Sequence, residues 1–378
     1  MGNAGGEDSV KAEERARDPA LCRTLLERLQ ELLGDRPLRF MEVCGTHTVA
    51  IFQSGLARLL PANLTHLSGP GCPVCVTHDS EVAAFLELAE NPQVLLATFG
   101  DLLRVPGPEG KSLKHARANG ANISIVYSPM EALTLAEKTP QKTVVFLGIG
   151  FETTAPTVAA TLLLAKERKL SNFTVLSLHK LVPPVLKTLL DDSSCQVDAF
   201  LLPGHVSTII GLAPYAFLAR DYGVPGVVSG FEPADILLAL CELAKARKDG
   251  TACVRNAYPR GVADSGNPRA CALMHQVFEP KDALWRGLGS IPQSGLGIRQ
   301  ALADFDAAVR FDLSLKEVKP IAGCRCGDVL KGMIRPAECP LFGRRCTPQA
   351  PVGPCMVSTE GSCAAWYKYV GTSGQSGA

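Results

Sequence analysis

Leu38-Arg39-Phe40-Met41-Glu42-Val43-Cys44-Gly45-Thr46-His47-Thr48 reads as a strand that runs directly into a helix. Its first six residues lack the polar alternation of a half-exposed strand, and such runs suit strands covered on both faces. Similar runs recur at Val94–Thr98, Ile123–Val126, Val144–Leu147, Thr174–Leu178, Ala199–Leu202 and Val224–Val228, where Pro225 weakens the last as a central strand. Helical stretches lie between them at Val49–Leu60, Ser80–Glu90, Pro129–Lys138, Pro156–Lys166 and Val185–Leu190. This alternation predicts α/β architecture with parallel sheets.

Seven strands would fill one sheet, but 378 residues exceed one average domain. The expected organisation is two parallel-sheet βα domains, 37–140 and 141–255, preceded by a tail and helix (1–36) and followed by a helical, Cys-rich region (256–378). Pro19–Leu33 is expected to be helical, capped by Asp18, opened by Pro19 and stopped by Gly34, with Leu21, Leu25, Leu29 and Leu32 as its apolar stripe. Ala234–Ala246 is a second amphipathic helix, and residues 247–322 read as helix mixed with loops. Residues 1–17 and the Gly/Ser stretch after Val370 read as tails.

Formal net charge is +1, which gives no electrostatic case for a nucleic-acid partner. No apolar run is long enough to span a bilayer, and Met1–Arg17 lacks the apolar core of a secretory signal. A cytoplasmic location is expected. In a reducing compartment the 14 cysteines point to metal binding or thiol cycling rather than to structural disulfides.

Cys44 stands where strand gives way to helix, at the strand end that faces the ligand crevice in open α/β sheets. A helix N-terminus favours the thiolate, so its pKa is expected to fall. His47 is one turn away, placed to hold a ligand or move a proton. The bland alternative is a small core cysteine beside a capping Thr46. Gly69-Pro70-Gly71-Cys72-Pro73-Val74-Cys75 is a Cys-x-x-Cys after a tight turn, with no second such knuckle 15–20 residues on. Cys72 and Cys75 therefore read as a redox dithiol or as ligands that complete a metal site with Cys44. His78 reads as a surface histidine.

Six cysteines fall between Cys324 and Cys363. Cys326, Cys339, Cys346 and Cys363 are separated by 12, 6 and 16 residues, too widely for zinc knuckles. Four such thiols amid Gly and Pro suit an iron–sulfur cluster, which leaves Cys324 and Cys355 as a neighbouring dithiol. Structural disulfides or zinc are the competing assignments. The loop Gly148-Ile149-Gly150-Phe151-Glu152-Thr153-Thr154-Ala155-Pro156-Thr157 has Thr153 where a dinucleotide fingerprint needs Gly. Glu152 and its threonines read equally well as helix-start caps. Pro203-Gly204-His205 and Phe231-Glu232-Pro233 also end strands. If these loops share a crevice, they would receive a small ligand or a partner's tail.

Together these motifs resemble the hydrogenase maturation factor HypD family. The resemblance extends from about Leu38 to Tyr369. It rests on Cys44-Gly45-Thr46-His47, Gly71-Cys72-Pro73-Val74-Cys75, Gly150–Thr157, Pro203-Gly204-His205 and the terminal cysteine spacing closed by Glu360-Gly361-Ser362-Cys363. It implies two α/β domains, a third domain with a [4Fe-4S] cluster, and a scaffold for building the Fe(CN)2CO group of [NiFe]-hydrogenases. It also implies two partners, a HypC-type small chaperone and a HypE-type carrier that presents cyanide as a thiocyanate on its C-terminal cysteine. On that basis Cys44, with Cys72 and Cys75, is expected at the iron, with His47 tuning or protonating beside it. Cys326, Cys339, Cys346 and Cys363 are expected at the cluster, Cys324 and Cys355 as an electron relay, and Glu360 as an acid near the cluster or the partner face. A cluster-fed thiol–disulfide reductase is the rival function, and a dinucleotide-dependent dehydrogenase a third.

Overall fold

The computed structural model describes residues 14–319 and 321–371; most of the anticipated N-terminal tail and Gly/Ser tail lies outside them. The helix Pro19–Leu33 forms as its sequence predicts. Asp18 accepts the Ala20 N–H at 2.9 Å, and Gly34 closes the helix at φ 52°, a conformation glycine adopts without steric cost.

The parallel strands in chain order are β1 (Leu38–Glu42), β2 (Leu64–Ser68), β3 (Val94–Thr98), β4 (Ile123–Ile125), β5 (Thr143–Gly148), β6 (Phe173–Ser177), β7 (Ala199–Pro203), β8 (Gly226–Ser229) and β9 (Val254–Asn256). They form two sheets, ordered β2-β1-β7-β8-β9 and β4-β3-β5-β6. The α/β class with parallel-sheet βα domains is therefore as expected. The chain leaves the first sheet after β2, builds the whole second sheet, and returns at β7. The anticipated boundary near residue 140 falls inside the second sheet, where β3 and β5 pair with Leu96 opposite Val145. Apolar runs reveal strands but not their neighbours, so the interleaving was invisible in sequence. β2 and β9 are edge strands carrying His66 and Arg255, and they lacked the apolar run that exposed the others.

Both sheets are covered on both faces. Leu38, Phe40, Ala199, Leu201 and Val227 of the first sheet pack under the helices Pro19–Leu33 and Pro233–Asp249. The opposite-facing Met41, Phe200, Leu202 and Val228 join Leu96, Val145 and Leu147 of the second sheet in a shared core. Val144, Phe146, Phe173 and Val175 face the helices Pro129–Lys138, Ala155–Glu167 and Pro268–Val277. The neighbours Val144 and Val145, or Leu201 and Leu202, thus serve different cores, which is why no polar residue alternates with them.

Part of the region read as helix and loops is an antiparallel hairpin, β10 (Phe278–Trp285) and β11 (Gly289–Ile298), with a bulge between Lys281 and Ala283. After it the chain forms turns and the short helices Ala307–Arg310 and Cys326–Leu330 before the closing helix Ser362–Tyr369. Among the described residues no helix is long and apolar enough to cross a membrane.

Candidate functional site

β1 and β2 are adjacent and parallel, so their carboxyl ends emerge side by side. Cys44 follows β1 and the Gly69–Cys72 turn follows β2. Gly69 N–H donates to Glu42 O at 2.8 Å, and Gly45 N–H donates to Gly71 O at 3.0 Å. A β-carbon on Gly71 would lie 2.1 Å from the Cys44 nitrogen, so the two loops touch backbone to backbone. This contact brings the turn that carries Cys72 against Cys44. Cys72 and Cys75 are joined by a disulfide.

Cys44 caps the helix Gly45–Gln53 without a side-chain capping bond. The expected fall in its pKa does not occur: burial, then the Glu360 charge, pushes the thiol up to about 12. The His47 and Thr46 amides oppose this but are outweighed. Beneath it, fully buried Glu42 accepts the Cys44 N–H at 3.0 Å and the Thr48 hydroxyl at 2.6 Å. Burial raises the Glu42 carboxyl as well. Glu42 was read only as part of a strand; its place two residues before the cysteine, inside an apolar run, was the available signal.

Cys44 opens onto a cleft of about 420 Å³. The Gly71–Pro73 turn, the loop 149–154, Pro203 to Ile209 and Glu360 line the rest of it. The loops after β5 and β7 share this crevice with Cys44, whereas Phe231-Glu232-Pro233 is not in its wall. Glu360 reaches it from the C-terminal region, accepting the Thr46 hydroxyl at 2.9 Å. Its segment is pinned by Arg104 Nη2, which donates to Val357 O at 3.1 Å, and by Ser358 Oγ, which donates to Asp101 at 3.3 Å.

His47 lies under the cleft rather than in its wall. Its Nε2 is 2.9 Å from Gly230 O, and its ring packs on Phe231 at 4.7 Å. Burial lowers its pKa to about 4, so the ring is neutral near pH 7. Phe231 also stacks at 4.0 Å on His205, which lines the cleft. Glu152 caps a helix, though not its own: Oε1 accepts the Val182 N–H at 2.9 Å at the start of Val182–Asp191. Its Oε2 has no partner among the described residues. His78 is no simple surface residue, since its Nδ1 accepts the Ser80 N–H and Glu81 accepts its own N–H in a capping box.

All six C-terminal cysteines line a second, smaller cavity, walled otherwise by Leu341, Phe342, Gly353 and Met356. Burial, then the neighbouring Cys326 and Cys324, pushes the Cys363 thiol well up. Among the described residues no group of three or more His, Cys, Asp or Glu side chains is arranged to hold a metal ion as the chain stands. The sulfurs surround a space rather than a point. Soft donors in an apolar shell fit a multi-atom iron–sulfur group better than a lone ion. The structure draws no line between the four cysteines expected at the cluster and the pair Cys324 and Cys355. The turn Pro354–Met356, with Cys355, packs on the turn Pro73–Val76, with Cys75.

Comparison with known proteins identifies the family. The family model described as HypD, "Hydrogenase formation hypA family", matches residues 20–370. Hydrogenase maturation factor HypD of Escherichia coli (strain K12) is 46% identical over 360 residues, covering 93% of this chain and 96% of that protein. HypD2 of Bradyrhizobium diazoefficiens is 43% identical over 368 residues, covering 95% and 97%. The hydrogenase expression/formation protein HupD of Azotobacter chroococcum mcd 1 is 45% identical over 367 residues, covering 95% and 97%. With nearly its full length matched and its thiol loops gathered as described, the chain belongs to the hydrogenase maturation factor HypD family.

Proposed function

We propose that this hydrogenase maturation factor is the scaffold on which the Fe(CN)2CO group of [NiFe]-hydrogenase is assembled. The observation that carries the reading is the convergence of Cys44, Gly71 and Pro73 of the Cys72 turn, and Glu360 in the lining of one cleft. Iron is the cargo, held by Cys44 together with a HypC-type small chaperone. Cys44 gives up its thiol proton on binding it. Glu42 fixes the Cys44 amide from below, and Glu360 sets a carboxyl beside the incoming group. His47, neutral and tied to Gly230, tunes the loop from beneath rather than delivering a proton as imidazolium. The cleft receives the tail of a HypE-type cyanide carrier.

Cys326, Cys339, Cys346 and Cys363 would hold a [4Fe-4S] cluster, which supplies single electrons when bound. Reducing the Cys72–Cys75 disulfide takes two electrons and two protons and yields two thiols. The contact between the turns bearing Cys355 and Cys75 supports Cys324 and Cys355 as the relay. No part of the reading needs nucleic acid or a membrane, and it suits a cytoplasmic protein.

The test is Cys44→Ala in a strain lacking its own copy. Hydrogenase activity should vanish and the complex with the small chaperone should lose its iron; retained activity overturns the assignment. The observed disulfide favours a second reading, a cluster-fed thiol–disulfide reductase. In that case Cys44→Ala leaves turnover of a protein disulfide intact, while Cys72→Ser abolishes it.

A further inference from the structure

The turn of the β10–β11 hairpin touches both thiol centres. Arg286 donates its backbone N–H to Val76 O at 3.0 Å, one residue past Cys75, and its Nε to Thr77 O at 2.9 Å. Its Nη1 meets Asp79 Oδ1 at 2.5 Å. On the other side Gly287, at φ 75°, presses on Gly327, which directly follows Cys326. A β-carbon on Gly287 would sit 2.3 Å from Gly327 Cα. Arg286 is only 5% exposed, and its Nη2 has no hydrogen-bond partner among the described residues. A buried, unpartnered N–H of a cation is costly and calls for a reason. Arg286 and Cys326 stand one residue to either side of the Gly287–Gly327 backbone contact, the buried guanidinium beside the wall of the six-thiol cavity.

We infer that Arg286 is a positioning residue that fastens the Cys-x-x-Cys turn to the six-thiol cavity and lends that cavity positive charge, favouring the more negative, reduced state of what it holds. The inference rests on the cluster reading of that cavity. One-electron reduction adds one negative charge, and a cation in the same low-dielectric surroundings lowers its energy. Asp79 works against this field, because its carboxylate neutralises the same guanidinium.

Wild type, Arg286→Gln, Arg286→Lys and Asp79→Asn are reconstituted anaerobically with iron and sulfide. Iron content is measured, and the midpoint is followed by EPR-monitored titration. Arg286→Gln should shift the one-electron equilibrium about tenfold toward the oxidised form, which is about 59 mV more negative. Arg286→Lys keeps the charge and should stay near wild type. Asp79→Asn should move the midpoint the other way, since it leaves the cation unopposed. Opposite signs distinguish a field from loosened packing, which would displace both variants alike. If Arg286→Gln fails to fold, Asp79→Asn still decides. Equal midpoints in the loaded proteins overturn the inference alone, while a wild type that takes up no iron overturns the cluster reading and the inference with it.

Discussion

Burial moves the Glu152 carboxyl up to about 7, from 4.5 when exposed, and the consequence for stability has a definite sign. Between those values the folded chain holds a proton that the unfolded chain has lost. Stability from this group is complete below about pH 4.5 and is lost as pH rises through about 7. The loss is on the order of 3 kcal/mol for that displacement. Glu152→Gln should remove this component, so its unfolding free energy relative to wild type should rise between pH 4.5 and 7, as read by urea titrations at several pH values. An unchanged difference across that range would sink the account. Cys44 teaches the same lesson from the other side. A helix N-terminus contributes about 0.3–1 kcal/mol toward an anion, whereas full burial opposes the charge by several times that. The helix start is legible in sequence; that the thiol is buried to 8% exposure is not.

The two loops after β1 and β2 are a paired element, and Gly71 is their point of contact. Gly71→Ala puts a β-carbon into the Cys44 backbone, so one loop must withdraw. Overpacking of this kind costs about 1–3 kcal/mol, and thermal unfolding should show a lower Tm. The variant should also lose iron from the chaperone complex while keeping all its cysteines. Iron retained at the wild-type level would show that the contact does not matter to the site. Strands with unbroken apolar runs and helices with caps were legible, because local residues dictate them. The β10–β11 hairpin was not, since Pro280, Gly289, Pro292 and Gly295 mask its period. That hairpin carries Arg286, and so the bridge between the thiol centres was hidden with it.

Interleaving governs the behaviour of the whole molecule. A fragment of residues 37–140 keeps β1 to β4 but lacks β7 and β5, the hydrogen-bonded neighbours of β1 and β3. It should show no cooperative urea transition by circular dichroism, and a sharp one would contradict the sheet order. The segment from Cys324 to Cys363 contains one short helix, Cys326–Leu330, a few turns and a small cavity ringed by sulfur before the closing helix begins at Ser362. If the proposed cluster is bound there, such a segment gains much of its order from it. Limited proteolysis should therefore cut it several-fold faster after chelation under reducing conditions than in iron-loaded protein. Equal rates would mean that packing alone orders it.

Local residues sufficed for the α/β class, the capped helix Pro19–Leu33 and the supply of thiol donors, because propensity, capping and donor type are properties of neighbouring residues. The stretch Val49–Leu60, expected as one helix, is instead Gly45–Gln53 and Leu56–Leu59. The tertiary structure alone decided which strands are neighbours and which loops meet. It also decided that Cys44 is shielded, that Glu42 and Glu152 are buried, and that Arg286 stands between two sulfur centres. Those outcomes depend on water exclusion and on contacts between residues far apart in the chain, such as Thr46 and Glu360, 314 positions apart, which no local pattern encodes.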